Sequence, residues 1–114
     1  MIKDDIENEL LNIGFNPLHI GTTYLVEAIY IVYNTNKLIY KINLEKEVYK
    51  ELSRKYNKNI KTIKSNIIKA TNAVDMRKIT NCKTIKYNDV KLTPELVIWM
   101  VIKRVKSKSV IKII

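Results

Sequence analysis

The sequence predicts an all-α domain of about five to six helices organised around a helix-turn-helix, and three observations carry that prediction. Apolar residues recur at three- and four-residue spacing in most segments, the period of one helix face. In Val48 to Arg77, two such segments flank the short polar turn Tyr56-Asn57-Lys58-Asn59, as a helix-turn-helix requires. Thr93-Pro94-Glu95 joins a capping hydroxyl, a proline at the first helical position and an acid in the first turn.

Taken in order, Asp4 or Asp5 caps a first helix that places Ile6, Leu10 and Ile13 on one face and closes at Gly14. Pro17 prevents simple continuation. A second helix opens at Gly21-Thr22-Thr23 and runs to about Tyr33, turning Leu25, Ala28, Ile29 and Val32 inward. Lys37 to Asn43 reads equally as a short strand or a short helix. Leu44, Val48, Leu52 and Tyr56 mark a third helix. Ile60, Ile63, Ile67, Ala70 and Val74 form the stripe of a fourth, expected from Ile60 to about Arg77, which gives a helix-turn-helix over 44–77. Thr84 to Leu92 alternates around Asn88-Asp89 and is compatible with a small hairpin over 84–92. A last helix is expected over 94–106, followed by an apolar tail over 110–114.

At 114 residues the chain forms one domain, 1–114, with room for a modest core. Its single cysteine, Cys82, excludes an intramolecular disulfide and fits a reducing compartment. There is no signal-peptide pattern and no run near the ~20 apolar residues of a membrane span, so a cytoplasmic protein without a membrane partner is expected. Two glycines and two prolines leave no glycine-rich phosphate loop.

The charge of +10 is unevenly placed. Residues 1–51 hold eight acids and five bases, whereas 52–114 hold three acids and sixteen bases. That asymmetry directs a basic face at a polyanion. The lysine excess, eighteen against three arginines, is what an AT-rich genome would produce, but such a bias does not account for the polarity between halves. Between Ser53 and Val74 there is no acidic residue at all. The side of the fourth helix opposite its stripe carries Thr62, Ser65, Lys69 and Asn72, flanked by Lys61 and Lys64.

Such a helix suits the DNA major groove. Lys61, Lys64 and Lys69 are the candidate phosphate contacts, and Thr62 and Ser65 can bond phosphate or base edges. Asn59 stands at the helix N-terminus, where free amides favour a phosphate. Ile68, at the edge of the exposed face, can meet a thymine methyl. The plainer reading is an amphipathic helix with solvated lysines.

Other features are structural. His19, the only histidine, cannot build a metal or catalytic site unaided and belongs to the turn between Gly14 and Gly21. Cys82 lacks a histidine or second cysteine to activate it. Glu45, Glu47 and Glu51 read as a solvated face. The seven tyrosines lack the spacing of a stacking platform for single strands. Neither an enzyme activity nor a cofactor is expected.

Three blocks resemble a known family. IGFNPLHIGTTYLVEAIYIVYN (Ile13 to Asn34), Val48 to Arg77, and KLTPELVIWMVIKRV (Lys91 to Val105) are similar to the DNA-binding effector domain of the stage-zero sporulation response regulators. The first block is the most specific, with its glycine, histidine, glycine and Tyr-Leu at fixed spacing. The resemblance spans roughly residues 6 to 105. It implies an all-helical fold, binding to double-stranded promoter DNA as tandem or dimeric copies, and insertion of the second helix of the helix-turn-helix into the major groove.

The family's reading face is S-R-x-E-R-x-x-R-H. The matching positions here are Lys61, Thr62, Lys64, Ser65, Ile68 and Lys69, without the glutamate and arginines that would read cytosine and guanine edges. The recognised sequence is therefore not inherited with the fold. The family also implies the RNA polymerase sigma subunit as a partner, although the segment after the recognition helix, where that contact is made, is shorter here. Its receiver domain has no counterpart before Met1, which leaves a stand-alone protein or an excised effector domain as readings.

The leading expectation is a sequence-specific DNA-binding transcriptional regulator. Its alternatives are an interaction module or antagonist that keeps the fold, and an accessory DNA-binding protein of a mobile element. A homodimer on DNA is expected, joined through Trp99 with Val110, Ile111, Ile113 and Ile114, and with Met100 beside them.

Overall fold

The computed structural model describes residues 2–35, 41–74 and 92–113, with side chains up to Ser107 in the last segment. The described elements are helical: α1 (Ile2–Ile13), α2 (Ile20–Tyr33), a π-wound lead-in (Leu44–Tyr49) continuous with α3 (Lys50–Tyr56), α4 (Ile60–Asn72) and α5 (Pro94–Ile113). The all-α expectation holds over these residues. The expected hairpin residues 84–91, and Cys82 with them, lie outside the described residues, as does most of the ambiguous segment after Asn36.

α1 begins at Ile2, so Asp4 and Asp5 stand in its first turn rather than at its cap. There their charge still complements the positive end of the helix. Ile6, Leu10 and Ile13 are buried as expected. Gly14 closes the helix at φ 119°, a conformation that a side chain disfavours. The amide of Gly14 donates to Leu11 O at 3.1 Å and that of Phe15 to Leu10 O at 3.0 Å, the paired bonds of a Schellman ending. Phe15 is buried behind the turn.

His19 caps α2: its Nδ1 accepts from the Gly21 amide at 3.1 Å, which gives the lone histidine its structural role. α2 buries Tyr24, Leu25, Ala28, Ile29 and Val32, a face broad enough to serve α4 on one side and α1 and α5 on another. It is the central helix. At its start Gly21 meets α4 with no space for a side chain. A Cβ there would lie 2.0 Å from the Asn66 carbonyl oxygen. The absent methyl lets the two backbones touch and sets the depth at which α4 sits.

Polar ties fix the remaining helices. Glu27 on α2 accepts from Lys3 of α1 at 3.0 Å and Lys55 of α3 at 2.9 Å. Burial raises the pKa of this carboxyl, but hydrogen bonds from Lys55 and Lys3 outweigh that and hold it below the ordinary carboxylate range. Glu9, 1% exposed, accepts from Arg104 Nε at 2.6 Å and ties α1 to α5. Tyr24 meets Tyr56 edge-to-face at 5.0 Å. Tyr24 and Tyr49 are both buried in the core.

α5 corrects its predicted boundary. Thr93 Oγ1 accepts from the Leu96 amide at 3.2 Å, the expected cap, but the helix continues to Ile113 instead of ending near Lys106. Neither Ser107 nor Ser109 breaks a helix, and no glycine or proline follows Pro94. The predicted tail, as far as Ile113, is part of α5.

Candidate nucleic-acid interface

The turn between α3 and α4 is fixed by its own polar groups. Asn57 adopts the left-handed conformation (φ 53°, ψ 46°), which asparagine tolerates better than other side chains. The Lys58 amide donates to Ser53 O at 3.1 Å, and Ser53 Oγ donates back to the Lys58 carbonyl. Asn59 then caps α4, its Oδ1 accepting from the Thr62 amide at 2.7 Å. The sequence placed Asn59 as a phosphate neighbour, and the structure gives its side chain a cap to hold.

α4 separates its two faces as the spacing predicts. Ile63, Ile67 and Ala70 are buried, Val74 is buried just beyond the helix, and Ile60 is half-buried. Lys61, Lys64, Ser65, Lys69 and Asn72 are exposed, and Ile68 is 37% exposed on the same side. Thr62 is half-buried at the margin, where its carbonyl accepts from Asn66 Nδ2 at 2.9 Å. The helix ends at Asn72, capped by Ala73, short of the Arg77 endpoint; residues 75–77 lie outside the described residues.

The three lysines of the outer face differ in their surroundings. Lys64 Nζ lies 2.6 Å from Glu45 Oε1 of the lead-in. This hydrogen bond, reinforced by the opposite charge, raises the ammonium pKa and lowers that of the Glu45 carboxyl. Lys61 and Lys69 have no carboxylate partner among the described residues. Arg54 and Lys58 are likewise exposed and unpaired there, on the last turn of α3 and in the turn. Sequence reasoning passed over these two. The signal was present in the acid-free run between Ser53 and Val74, which holds both.

Of the dimerisation candidates, Trp99 is 40% exposed, with Lys103 Nζ 4.8 Å from its ring centroid. Met100 is buried in the domain's own core at 2% exposure, which removes it from any joining surface. Val110, Ile111 and Ile113 belong to α5, and Ile114 lies outside the described residues. Among the described residues no helix is long and apolar enough to cross a membrane.

A family model described as sporulation initiation factor Spo0A, C terminal, matches residues 6–105. No curated protein matches the chain. With most of its length covered, the chain belongs to the Spo0A C-terminal family, a family of DNA-binding transcription-factor domains in sporulation and not of enzymes.

Proposed function

We propose that this member of the Spo0A C-terminal family is a sequence-specific transcriptional regulator that inserts α4 into the major groove of double-stranded DNA. The observation that carries the reading is the division of α4, a helix seated on α2 by Ile63 and Ile67 whose free side offers Lys61, Ser65, Ile68 and Lys69. In this arrangement Lys61, Lys69, Arg54 and Lys58 contact phosphates, Ser65 bonds a base edge or phosphate, and Ile68 faces a thymine methyl. Thr62 contributes from the margin. Asn59 acts by holding the first turn of α4, with its amides, toward the backbone. The protein works in the cytoplasm, where its DNA lies.

One such helix reads only a few base pairs, so two copies on adjacent half-sites supply the remaining affinity. Trp99 and the C-terminal turns of α5, with Val110, Ile111, Ile113 and Ile114, are the surface we assign to that pairing. The sigma subunit of RNA polymerase is a further partner that membership of the family supports.

Selection from a random duplex library tests the reading. An enriched motif, with affinity falling steeply in salt at roughly −0.9 per phosphate contact, is the expected result. Failure to enrich any motif would contradict sequence-specific binding and favour an interaction module. A motif confined to a replication origin would contradict the promoter role.

A further inference from the structure

We propose that Glu45 is a built-in competitor for the DNA backbone, holding Lys64 so that binding requires exchange of this carboxylate for a phosphate. This rests on the DNA-binding reading and adds a determinant of specificity to it. The Lys64–Glu45 pair, at 2.6 Å, joins the outer face of α4 to the lead-in across 19 positions of sequence. Both side chains are about half open to solvent, at 47% and 56%, so a phosphate can reach the ammonium without unfolding anything.

Glu45 is itself well anchored. The lead-in begins at Asn43, whose Oδ1 accepts from the Lys46 amide at 3.0 Å and whose amide donates to Glu47 Oε2 at 2.7 Å. These two bonds enclose Glu45 between fixed backbone positions. π-Winding is rare and is found often at functional positions. Here it forms the strip of backbone from which the acid reaches α4. The Glu95 carboxylate, at the start of α5, adds its negative field at Lys64.

Of the three lysines on this face, only Lys64 has its charge answered among the described residues. Lys61 and Lys69 therefore supply the sequence-independent attraction, whereas Lys64 leaves its tether only when the duplex fits well enough to offset the loss of Glu45. A tethered carboxylate left beside the phosphates also repels them, and this weakens binding to ill-fitting DNA most.

The test is a double-mutant cycle on binding of the full chain to a short duplex of arbitrary sequence, read by fluorescence anisotropy across a salt series. Glu45→Gln is expected to tighten this binding about two- to five-fold, the scale of one exposed pair, and to steepen the salt slope by up to about one. In a Lys64→Gln background the same change should gain clearly less, because only the direct repulsion of the phosphates remains to be relieved. Equal gains in both backgrounds would reduce Glu45 to a general surface charge and overturn the inference, as would a loss of affinity in the Glu45→Gln variant. Glu45→Ala, with circular dichroism on every variant, covers the case in which glutamine disturbs the lead-in. If the wild-type chain bound no duplex at all, the functional reading would fall and the inference with it; binding with additive effects removes the inference alone.

Discussion

The two faces of α4 are built by opposite rules. Inward, Ile63 and Ile67 are fully buried and the backbone at Asn66 touches Gly21, so displacement of a single methyl group's width matters. Outward, Lys61, Ser65 and Lys69 have no side-chain hydrogen bond or ion pair among the described residues, and Lys64 has one solvent-exposed partner there. Change on the inner face is therefore a matter of stability, and change on the outer face a matter of partner choice. A helix whose position is fixed from behind can vary its exposed residues without moving. Lysines, Thr62, Ser65 and Ile68 can therefore stand where the resemblance sets arginines and a glutamate without moving the helix.

The strongest way to break this division is Gly21→Ala. Alanine favours a helix by about 1 kcal/mol over glycine, yet its Cβ would stand 2.0 Å from the Asn66 oxygen. The backbones must part, and we expect a net loss of about 3 kcal/mol or more in urea unfolding, with a matching fall in the melting temperature. A variant as stable as wild type would show that α2 does not set the seat of α4.

Asn59→Ala acts where the two faces meet. It removes the acceptor of the Thr62 amide and should cost about 1 kcal/mol. Asn59→Asp keeps that acceptor and should retain the stability while adding a negative charge that weakens DNA binding. If the aspartate variant binds DNA as well as wild type, Asn59 does not face the phosphates.

The smallest effect expected is one of pH. Glu27, which ties α3 to α2, has its carboxyl pKa depressed in the folded protein by Lys55 and Lys3. A depressed value contributes stability that is present above the unfolded pKa of about 4.3 and is lost as pH falls through the folded value. Melting temperatures measured from neutral pH downward should drop below about pH 4, and Glu27→Gln should flatten that limb. An unchanged acid limb in the variant would remove Glu27 from the acid response.

Much of this division was legible in the sequence. The stripe from Ile60 to Val74 announced the buried side, because burial of one helix face imposes its period on the chain. The cap at Thr93 and the ending at Gly14 followed from local chemistry alone, whereas Asn59 read as a phosphate neighbour and its cap emerged only in the structure. What escaped was long-range. Gly21 and Asn66 are 45 positions apart, and no local pattern marks them as touching. The Lys64–Glu45 pair and the π-winding that presents it depend on how the lead-in packs. Nothing local marks Glu9 for burial, because its partner Arg104 lies 95 residues away. The ends of α4 and α5 were misplaced for a simpler reason: neither sequence carries a strong stop signal at the predicted boundary.

The central claim is that the outer face of α4 binds DNA independently of stability. Its most direct test is the triple variant Lys61→Ala, Lys64→Ala and Lys69→Ala, titrated with the duplex that library selection enriches and followed in parallel by circular dichroism and thermal melting. A helical spectrum and melting temperature close to wild type are expected, with DNA binding abolished at moderate salt. A folded triple variant that binds the duplex with wild-type affinity would contradict that claim and move the interface to another surface of the domain.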